Sequence, residues 1–292
     1  MKAQNPFDEK AAQWSSTRDL PWNLLRYELT HELIERHISN KISSVLEVGC
    51  GNGYESSLWN GKADYITLSD SSGKMLDSAK VLFNSLSVSS RLDFIQSDAK
   101  DLAEKTNRKF ELILFNNVIE YVDDPKRTLA SLKDLLAPNG MLAVRHINRY
   151  SNVFIPAMYE HDLETSLRYL QNPEITTSFG IVIKTYAKAE MQYLIEEVGY
   201  KIKKYYGLMT LTGYITDNER KYDPVFYKQL KEIELEMAVT FPYYDIARFG
   251  LFLLTELKHG RNMIAAYQTV AADLAHNRGE FWGHGNEILL FK

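Results

Sequence analysis

Short apolar runs alternate with helical patterns between Ser43 and His146. Five of these runs have the length and the β-branched, leucine or aromatic content of strands: SSVLEV, DYITLSD, RLDFIQSD, FELILFNN and GMLAVRHI. The segments between them have the periodicity of helices, and one of them begins at Pro125 and stops at the turn Pro138-Asn139-Gly140. Five strands joined by helical crossovers predict a parallel sheet with helices on both of its faces.

The pattern changes on both sides of this region. Upstream, PWNLLRYELTHELIERHI has apolar residues at helical spacing and predicts a helix that covers or flanks the sheet. Downstream, residues 149–186 indicate irregular chain with some helix. AKAEMQYLIEEVG then predicts a helix that ends at Gly199, and YKIKKYYGLMTLTGY predicts a strand.

The last part of the chain predicts mainly helix. Helical stretches are expected near residues 217–239, 243–258 and 261–276, and EILLFK predicts a terminal strand. The run FGLFLLTEL inside the second stretch suits helix and strand equally, because a short apolar segment fits both periodicities. Since no repeat or low-complexity linker divides the chain, we expect one domain with a helical insertion toward its C-terminus.

Composition narrows the class of protein. A chain of 292 residues, 45% of them hydrophobic, is long enough to bury a substantial core. The formal net charge of -4 argues against an overall electrostatic attraction to nucleic acid or to an anionic membrane. Cys50 is the single cysteine, the N-terminus has no apolar signal-peptide core, and the run FGLFLL is too short to span a bilayer. These features predict a soluble cytoplasmic protein.

A glycine-rich turn follows the first predicted strand. In VLEVGCGNGYES, Gly49, Gly51 and Gly53 stand at alternate positions, and Glu47 precedes the first of them by two residues. Such a turn lets a ligand approach the backbone at the carboxyl edge of a parallel sheet. A dinucleotide fingerprint would require glycine where Tyr54 stands, and no P-loop lysine follows, so both of those classes are excluded. A structural turn without a ligand stays open at this point.

The pattern E-x-G-x-G-x-G resembles motif I of class I S-adenosylmethionine (SAM)-dependent methyltransferases. This resemblance implies an α/β fold with a Rossmann-like, doubly wound and mostly parallel sheet, N-terminal lid helices and a helical C-terminal insertion. It divides the chain into lid helices at residues 1–40, a SAM-binding core at 41–148, and the remaining strands and substrate-binding helices at 149–292. The implied cofactor is SAM, which has no phosphate to be repelled by a carboxylate such as Glu47 near the turn.

Polar residues at the ends of the next strands fit the same cofactor. Asp70 closes the second predicted strand, where an acid can bind both ribose hydroxyls, although an N-cap of the following helix explains it equally well. The resemblance places the adenine at Asp98 or the backbone of Ala99 and adds Met75 to the cofactor-binding residues. Asn116 follows the fourth predicted strand, at the place of the transferred methyl group.

A closer similarity is to the tRNA 5-carboxymethoxyuridine methyltransferases, which esterify a carboxylate on a wobble uridine. It rests on FNNVIEYVDDP, LAPNGMLAVRHINRYSN, EEVGYKIKKYYGLM and the arginine of LLRYEL. The family implies that Arg26 holds the methionine carboxylate of the cofactor, as a guanidinium fork can. The chain departs from the family at Asn116, where histidine is usual, and in extra residues around 151–180 and after Leu257.

The acceptor decides which side chains the chemistry needs. A carboxylate is ionised at neutral pH and requires alignment rather than a base. A hydroxyl or an amine would require a base, with His146 or His161 as the candidates. His146 also suits a strand-end histidine that is bonded to the backbone. Since no His, Cys and Asp cluster has the spacing of a metal site, no metal is expected.

Three functions stay open on the sequence alone. The first is methylation of tRNA, for which Lys201, Lys203 and Lys204, with tyrosines such as Tyr205 and Tyr244, offer phosphate and stacking contacts. The same lysines suit a solvated strand end, and the tyrosines suit packing under the surface. The second function is methylation of a small molecule, and the third is that of a non-catalytic SAM-binding partner subunit. No membrane is expected among the partners.

Overall fold

The computed structural model describes residues 5–177 and 180–257 of the chain. Its strands are β1 (Ile42–Val48), β2 (Ala63–Asp70), β3 (Arg91–Gln96), β4 (Phe110–Asn116), β5 (Leu136–Ile147), β6 (Glu174–Thr176), β7 (Val182–Lys184), β8 (Tyr200–Leu208) and β9 (Phe249–Glu256). Seven of them form one sheet in the order β3-β2-β1-β4-β5-β9-β8, and β6 pairs with β7 in a separate hairpin.

The five strands predicted from the alternating pattern are parallel to one another, as expected. Only β9 within this sheet runs antiparallel to its neighbours β5 and β8. The predicted fold class, an α/β protein with a mostly parallel and doubly wound sheet, is therefore confirmed.

Helices cover both faces of the sheet. They are α1 (Pro6–Ser16), α2 (Pro21–Glu35), α3 (Tyr54–Ser57), α4 (Gly73–Asn84), α5 (Pro125–Lys133), α6 (Leu163–Gln171), α7 (Lys188–Glu197), α8 (Thr210–Tyr214), α9 (Pro224–Met237) and α10 (Tyr243–Ile246). Leu112 and Leu114 of β4 pack in the core that includes residues of α2, α4 and α9. Ile113 and Phe115 point the other way, into a second core with residues of α5 and α7. This alternation gives the sheet two buried faces.

The expected helix near 243–258 is wrong for most of its length. The helix α10 ends at Ile246, and the apolar run that suited both periodicities forms β9. Six consecutive residues of β9, from Phe249 to Leu254, are buried because strands flank it and cores cover both of its faces. A strand in such a place loses the polar alternation that would have identified it.

Of the other predicted elements, some are confirmed and some differ from the structure. The helix ending at Gly199 is confirmed as α7, and the helical stretch near 217–239 is confirmed as a 3₁₀ turn followed by α9. The segment predicted as a strand over 200–214 is a strand only to Leu208, because Met209 adopts a left-handed conformation and α8 follows. The hairpin of β6 and β7 was not expected.

Two predicted elements, the helix at 261–276 and the strand EILLFK, lie outside the described residues. The described residues contain no helix with the length and apolar character that a membrane span requires.

Candidate active site

The glycine turn after β1 is tied to the last residue of β2. The Asp70 carboxylate accepts hydrogen bonds from the backbone N–H of Gly51 and from that of Ser72, each at 2.9 Å. Burial raises the pKa of Asp70, and the two N–H groups act in the opposite direction. Asp70 therefore joins the turn to the beginning of α4.

The three glycines of the turn have left-handed backbone conformations, with φ of 69° at Gly49, 52° at Gly51 and 76° at Gly53. A Cβ at Gly53 would lie 2.9 Å from the Cβ of Ala79 in α4, so this glycine allows α4 to pack closely on the turn. Gly53 lines neither of the two cavities beside the turn. The structure therefore does not bring this predicted cofactor residue to the site surface.

Two adjoining cavities lie at the carboxyl edge of the sheet. The smaller, of about 160 Å³, is lined by the predicted cofactor residues Asp70, Met75, Asp98 and Ala99. The larger, of about 600 Å³, is lined by the predicted residues Arg26 and Glu47. Six residues border both cavities and join them into one site: Trp14, Gly49, Gly51, Asn116, Asn117 and Tyr121.

Helix α1 forms one wall of this site. Phe7 lines the smaller cavity, and its ring meets the ring of Tyr121 edge to face at 5.2 Å. Trp14, in the last turn of the helix, borders both cavities. The Oγ of Ser72 donates a hydrogen bond of 2.5 Å to Asp8, which fixes α1 on the start of α4. Sequence reasoning expected lid helices within residues 1–40 but found helical periodicity only in the segment that forms α2.

A buried ion pair between Glu55 and Arg145 lies on the larger cavity. The Nη1 of Arg145 also donates to Thr30 of α2 at 2.7 Å, and its Nε donates to the side chain of Asn117 at 2.7 Å. The second oxygen of Glu55 accepts from Nδ2 of Asn116 at 3.0 Å. This network orients Asn116 between the cavities. Sequence reasoning missed Glu55 and Arg145, although an arginine inside the apolar strand AVRHI was a usable signal.

Glu47 is buried beside this network. Its Oε2 accepts hydrogen bonds from the backbone N–H and the hydroxyl of Ser56 in α3. Burial, and then the charge of Glu55, raise the pKa of Glu47 well above its ordinary value. Glu47 thus offers the larger cavity a carboxyl group that holds its proton more tightly than a solvated one.

The predicted general-base candidates do not reach the cavities. His146 is fully buried, stacks on Phe252 in the core opposite to α2, and its Nδ1 lies 3.1 Å from the carbonyl oxygen of Ile147. Burial lowers the pKa of His146 to about 4. His161 is exposed at the end of a short π-helical turn. Within the described ranges, no three His, Cys, Asp or Glu residues are grouped as a metal site requires.

Three guanidinium groups surround the ring of Phe249, which lines the larger cavity. Those of Arg26, Arg145 and Arg248 lie 5.5, 5.9 and 5.8 Å from the ring centroid. Arg145 is paired with a carboxylate, whereas Arg26 and Arg248 form no ion pair with any residue that the structure describes. Around this ring, the larger cavity therefore has two positive charges that no ion pair among the described residues neutralises.

The residues at the turn fit a SAM cofactor. Four buried polar atoms of residues that line this region have no hydrogen-bond partner in the described part of the chain: Oδ1 of Asn116, Nδ2 of Asn117, Nε of Arg26 and Nδ2 of Asn52. A Cβ at Gly51 would lie 3.4 Å from the indole nitrogen of Trp14, so glycine keeps this narrow space clear. The amino-acid and ribose parts of the cofactor need hydrogen-bond donors, hydrogen-bond acceptors and a cation. The site offers all three beside an accessible backbone turn.

Fold and site together define a class I SAM-dependent methyltransferase. Residues 39–206 match the model of the family described as "Methyltransferase domain", and the chain belongs to this family. The resemblance predicted from motif I is therefore confirmed.

Named relatives differ in their acceptors. The tRNA 5-carboxymethoxyuridine methyltransferase of Escherichia coli (strain K12) is 26% identical over 207 residues, which are 70% of this chain and 77% of the relative. The ubiquinone biosynthesis O-methyltransferase of Aromatoleum aromaticum is 26% identical over 160 residues, 52% of this chain and 64% of the relative. These relatives agree on methyl transfer and leave the acceptor to be argued from the site.

Solved structures support the fold. The N-methyltransferase NodS from Bradyrhizobium japonicum WM9, in complex with S-adenosyl-L-homocysteine, aligns with a TM-score of 0.54 at 14% identity, over 86% of this chain and 99% of that one. The plantazolicin methyltransferase BpumL, also with S-adenosylhomocysteine, aligns with a TM-score of 0.54 at 17% identity, over 87% of this chain and 91% of that one.

Proposed function

We propose that the chain transfers the methyl group of SAM to a carboxylate. In this arrangement the nucleoside of the cofactor occupies the smaller cavity, with Asp70 at the ribose and Asp98 and Ala99 at the adenine. Arg26 binds the methionine carboxylate from the larger cavity, and bound SAM supplies an electrophilic methyl group. Asn116, which borders both cavities, would lie near the transferred methyl group, and Glu47 lines the larger cavity.

The charge of the larger cavity is the observation that carries the choice of a carboxylate. One unpaired guanidinium, that of Arg26, is accounted for by the cofactor, and that of Arg248 is left for a second anion. A carboxylate acceptor brings its own negative charge, so the reaction needs no general base. The positions of His146 and His161, both away from the cavity lining, agree with a reaction of this kind.

We further propose that the carboxylate is that of 5-carboxymethoxyuridine at the wobble position of tRNA, and that the reaction takes place in the cytoplasm. Support comes from the E. coli relative, whose aligned region covers 70% of this chain. The sequence elements that this chain shares with that family also support the proposal. The segment between β5 and α7 lines the acceptor half of the cavity through Asn152, Thr165, Arg168 and Thr176, so the extra residues of this chain shape its acceptor pocket.

A small carboxylate is the second candidate, and the position of the lysine cluster favours it. Lys201 pairs with Thr255, which pairs with Met141 near the beginning of β5, whereas the cavities lie at the other end of the sheet. A strand rises about 3.3 Å per residue, so Lys201 lies roughly 20 Å along the sheet from Leu208, which pairs with the cavity-lining Phe249. The predicted basic cluster therefore does not border the site.

Analysis of tRNA from cells with and without this protein separates the two candidates. If the acceptor is the wobble uridine, digested tRNA from the deficient cells lacks the methyl ester of 5-carboxymethoxyuridine and accumulates the free acid. Purified protein and SAM should then restore the ester on that tRNA, and restoration should weaken steeply with salt because tRNA binding uses phosphate contacts. Equal ester content in both cell types would exclude tRNA and leave the small carboxylate.

A further inference from the structure

Arg248 is a half-buried cation held by neutral partners. It precedes the first residue of β9, and its Nη1 donates to Oγ of Ser151 at 3.0 Å and to Oδ1 of Asn152 at 3.1 Å. Burial lowers the pKa of its guanidinium to about 10, and the negative charge of Glu120 opposes this effect. Glu120 does not form an ion pair with Arg248, and its Oε1 accepts from the backbone N–H of Ile147. A partly buried guanidinium without an ion-pair partner is stabilised when an anion reaches it.

The other arginines of the cavity indicate which anion this is. Arg145 is already neutralised by Glu55, and Arg26 belongs to the cofactor under the proposed function. Ser151 and Asn152, which anchor Arg248, lie in the segment between β5 and α6 that forms the acceptor side of the cavity. An anion at Arg248 is therefore on the acceptor, not on the cofactor.

We propose that Arg248 determines acceptor specificity by binding the carboxylate of the acceptor. The inference rests on the proposed function and assigns recognition of the acceptor carboxylate to one residue. Arg168 of α6 adds a second positive charge at the exposed rim, where Glu160 also lies. The partners Ser151 and Asn152 hold the Arg248 fork in place, so that little of its rotamer freedom is left to lose when a carboxylate binds.

This assignment also explains how the product leaves. Methyl transfer forms a C–O bond on the acceptor and breaks the methyl–sulfur bond, whose electron pair stays on sulfur. The carboxylate becomes a neutral ester, and no proton is released. The charge-assisted contact with Arg248 is thereby lost, so the same residue that selects the anionic acceptor disfavours the methylated product.

Isosteric probes test the assignment without relying on tRNA. Dissociation constants of phenoxyacetate, phenoxyacetamide and methyl phenoxyacetate are measured by NMR titration, with the protein saturated by S-adenosylhomocysteine. The parent protein should bind the anion about tenfold or more tightly than either neutral probe. Arg248→Gln should remove this preference, and Arg248→Lys, which keeps the charge but not the fork, should retain part of it. The control Arg149→Gln, in which the replaced arginine pairs with Glu190 and lines neither cavity, should leave it intact.

Calorimetry of SAM binding to the same variants identifies the cause of any change. SAM affinity should be the same in the parent, Arg248→Gln and Arg149→Gln, because Arg248 contacts the acceptor. Three results would each overturn the assignment. They are an unchanged anion preference in Arg248→Gln, an absence of anion preference in the parent, and a loss of SAM affinity in Arg248→Gln as large as its loss of anion affinity. Arg248-dependent anion binding by a protein that forms no methyl ester would instead contradict the proposed function and leave the anion site standing.

Discussion

Asp70 has two contributions at the residue scale, one to the turn and one to the proposed ribose contact. Asp70→Ala removes the acceptor of the Gly51 and Ser72 N–H groups and a charge-assisted contact worth roughly 1.5–3 kcal/mol, so SAM binding should weaken more than tenfold. Asp98→Ala, at an exposed side chain on the rim of the same cavity, should have a smaller effect. Isothermal titration calorimetry on both variants checks this, and unchanged SAM affinity in Asp70→Ala would refute the assignment.

Glu120 gives a prediction on pH and stability. Burial raises its pKa from the ordinary 4.5 to about 7, and the Ile147 N–H and the charge of Arg145 reduce the rise. The folded protein therefore binds this proton more tightly than the unfolded chain, so the stabilising contribution is complete below about pH 4.5 and is lost as the pH rises through 7. A rise of this size corresponds to roughly 3 kcal/mol.

Glu120→Gln removes the titration but keeps the acceptor for the Ile147 N–H. We expect the variant and the parent to have similar free energies of unfolding near pH 4.5, and the variant to be more stable at pH 8. Urea unfolding at the two pH values measures this difference, with Glu219→Gln at an exposed position as the control. Parallel stability curves for parent and Glu120→Gln would show that Glu120 does not titrate in this window.

Sequence reasoning placed Asp70 and Asn116 at the ends of strands, and both line the smaller cavity. Motif spacing could predict these positions because the carboxyl ends of parallel strands meet at one edge, and their roles in cofactor binding stay predictions. It could not distinguish Gly53, which serves packing, from Gly51, which borders both cavities. It also could not find Arg248, because its partners Ser151 and Asn152 are about a hundred positions away in the chain.

At the element scale, α1 is expected to contribute to cofactor affinity. Trp14→Ala would open the wall that Trp14 forms between the cavities and weaken SAM binding roughly two- to tenfold, as loss of an aromatic contact commonly does. Gln13→Ala, an exposed neighbour on the same helix, is the control. Equal SAM affinity in the two variants would mean that α1 only covers the protein surface.

The central position of β9 depends on Gly250. A Cβ there would clash with the His146 ring and would lie 2.7 Å from the hydroxyl oxygen of Tyr205, so Gly250→Ala should destabilise the fold by about 1–3 kcal/mol. Gly213→Ala, where a Cβ would meet nothing within 4 Å, should be close to neutral. Thermal and urea unfolding compare the two, and a neutral Gly250→Ala would contradict the close packing of β9 on β5.

The elements that were predicted well are those with a clear local signal. The five parallel strands have turn residues and helices between them, and α7 has Gly199 at its end with a φ of 84°. The strand β9 was ambiguous because it is buried on both faces. This burial follows from its place between β5 and β8, which are distant in sequence. The hairpin of β6 and β7 has strands of three residues each, too short for periodicity to identify.

At the scale of the whole molecule, charge is distributed in a way that the net value of -4 does not suggest. The larger cavity collects the unpaired guanidinium groups of Arg26 and Arg248, while Lys201 lies at the opposite end of the sheet. Composition argued against an overall electrostatic attraction to nucleic acid or to an anionic membrane, but it could not show that positive charge is concentrated inside the site. That concentration is the physical basis on which a carboxylate acceptor is proposed.

The chemical stability of the product tests the carboxylate assignment most directly. Purified protein is incubated with SAM carrying an isotopically labelled methyl group and with an extract, including tRNA, from cells that lack the protein. The products are then treated with mild alkali, which hydrolyses carboxyl methyl esters and leaves N-methyl groups and ethers intact. Release of the label as methanol is the predicted result. Label that stays on the acceptor after alkali would contradict the account, because the methyl group would then have gone to nitrogen or to a hydroxyl.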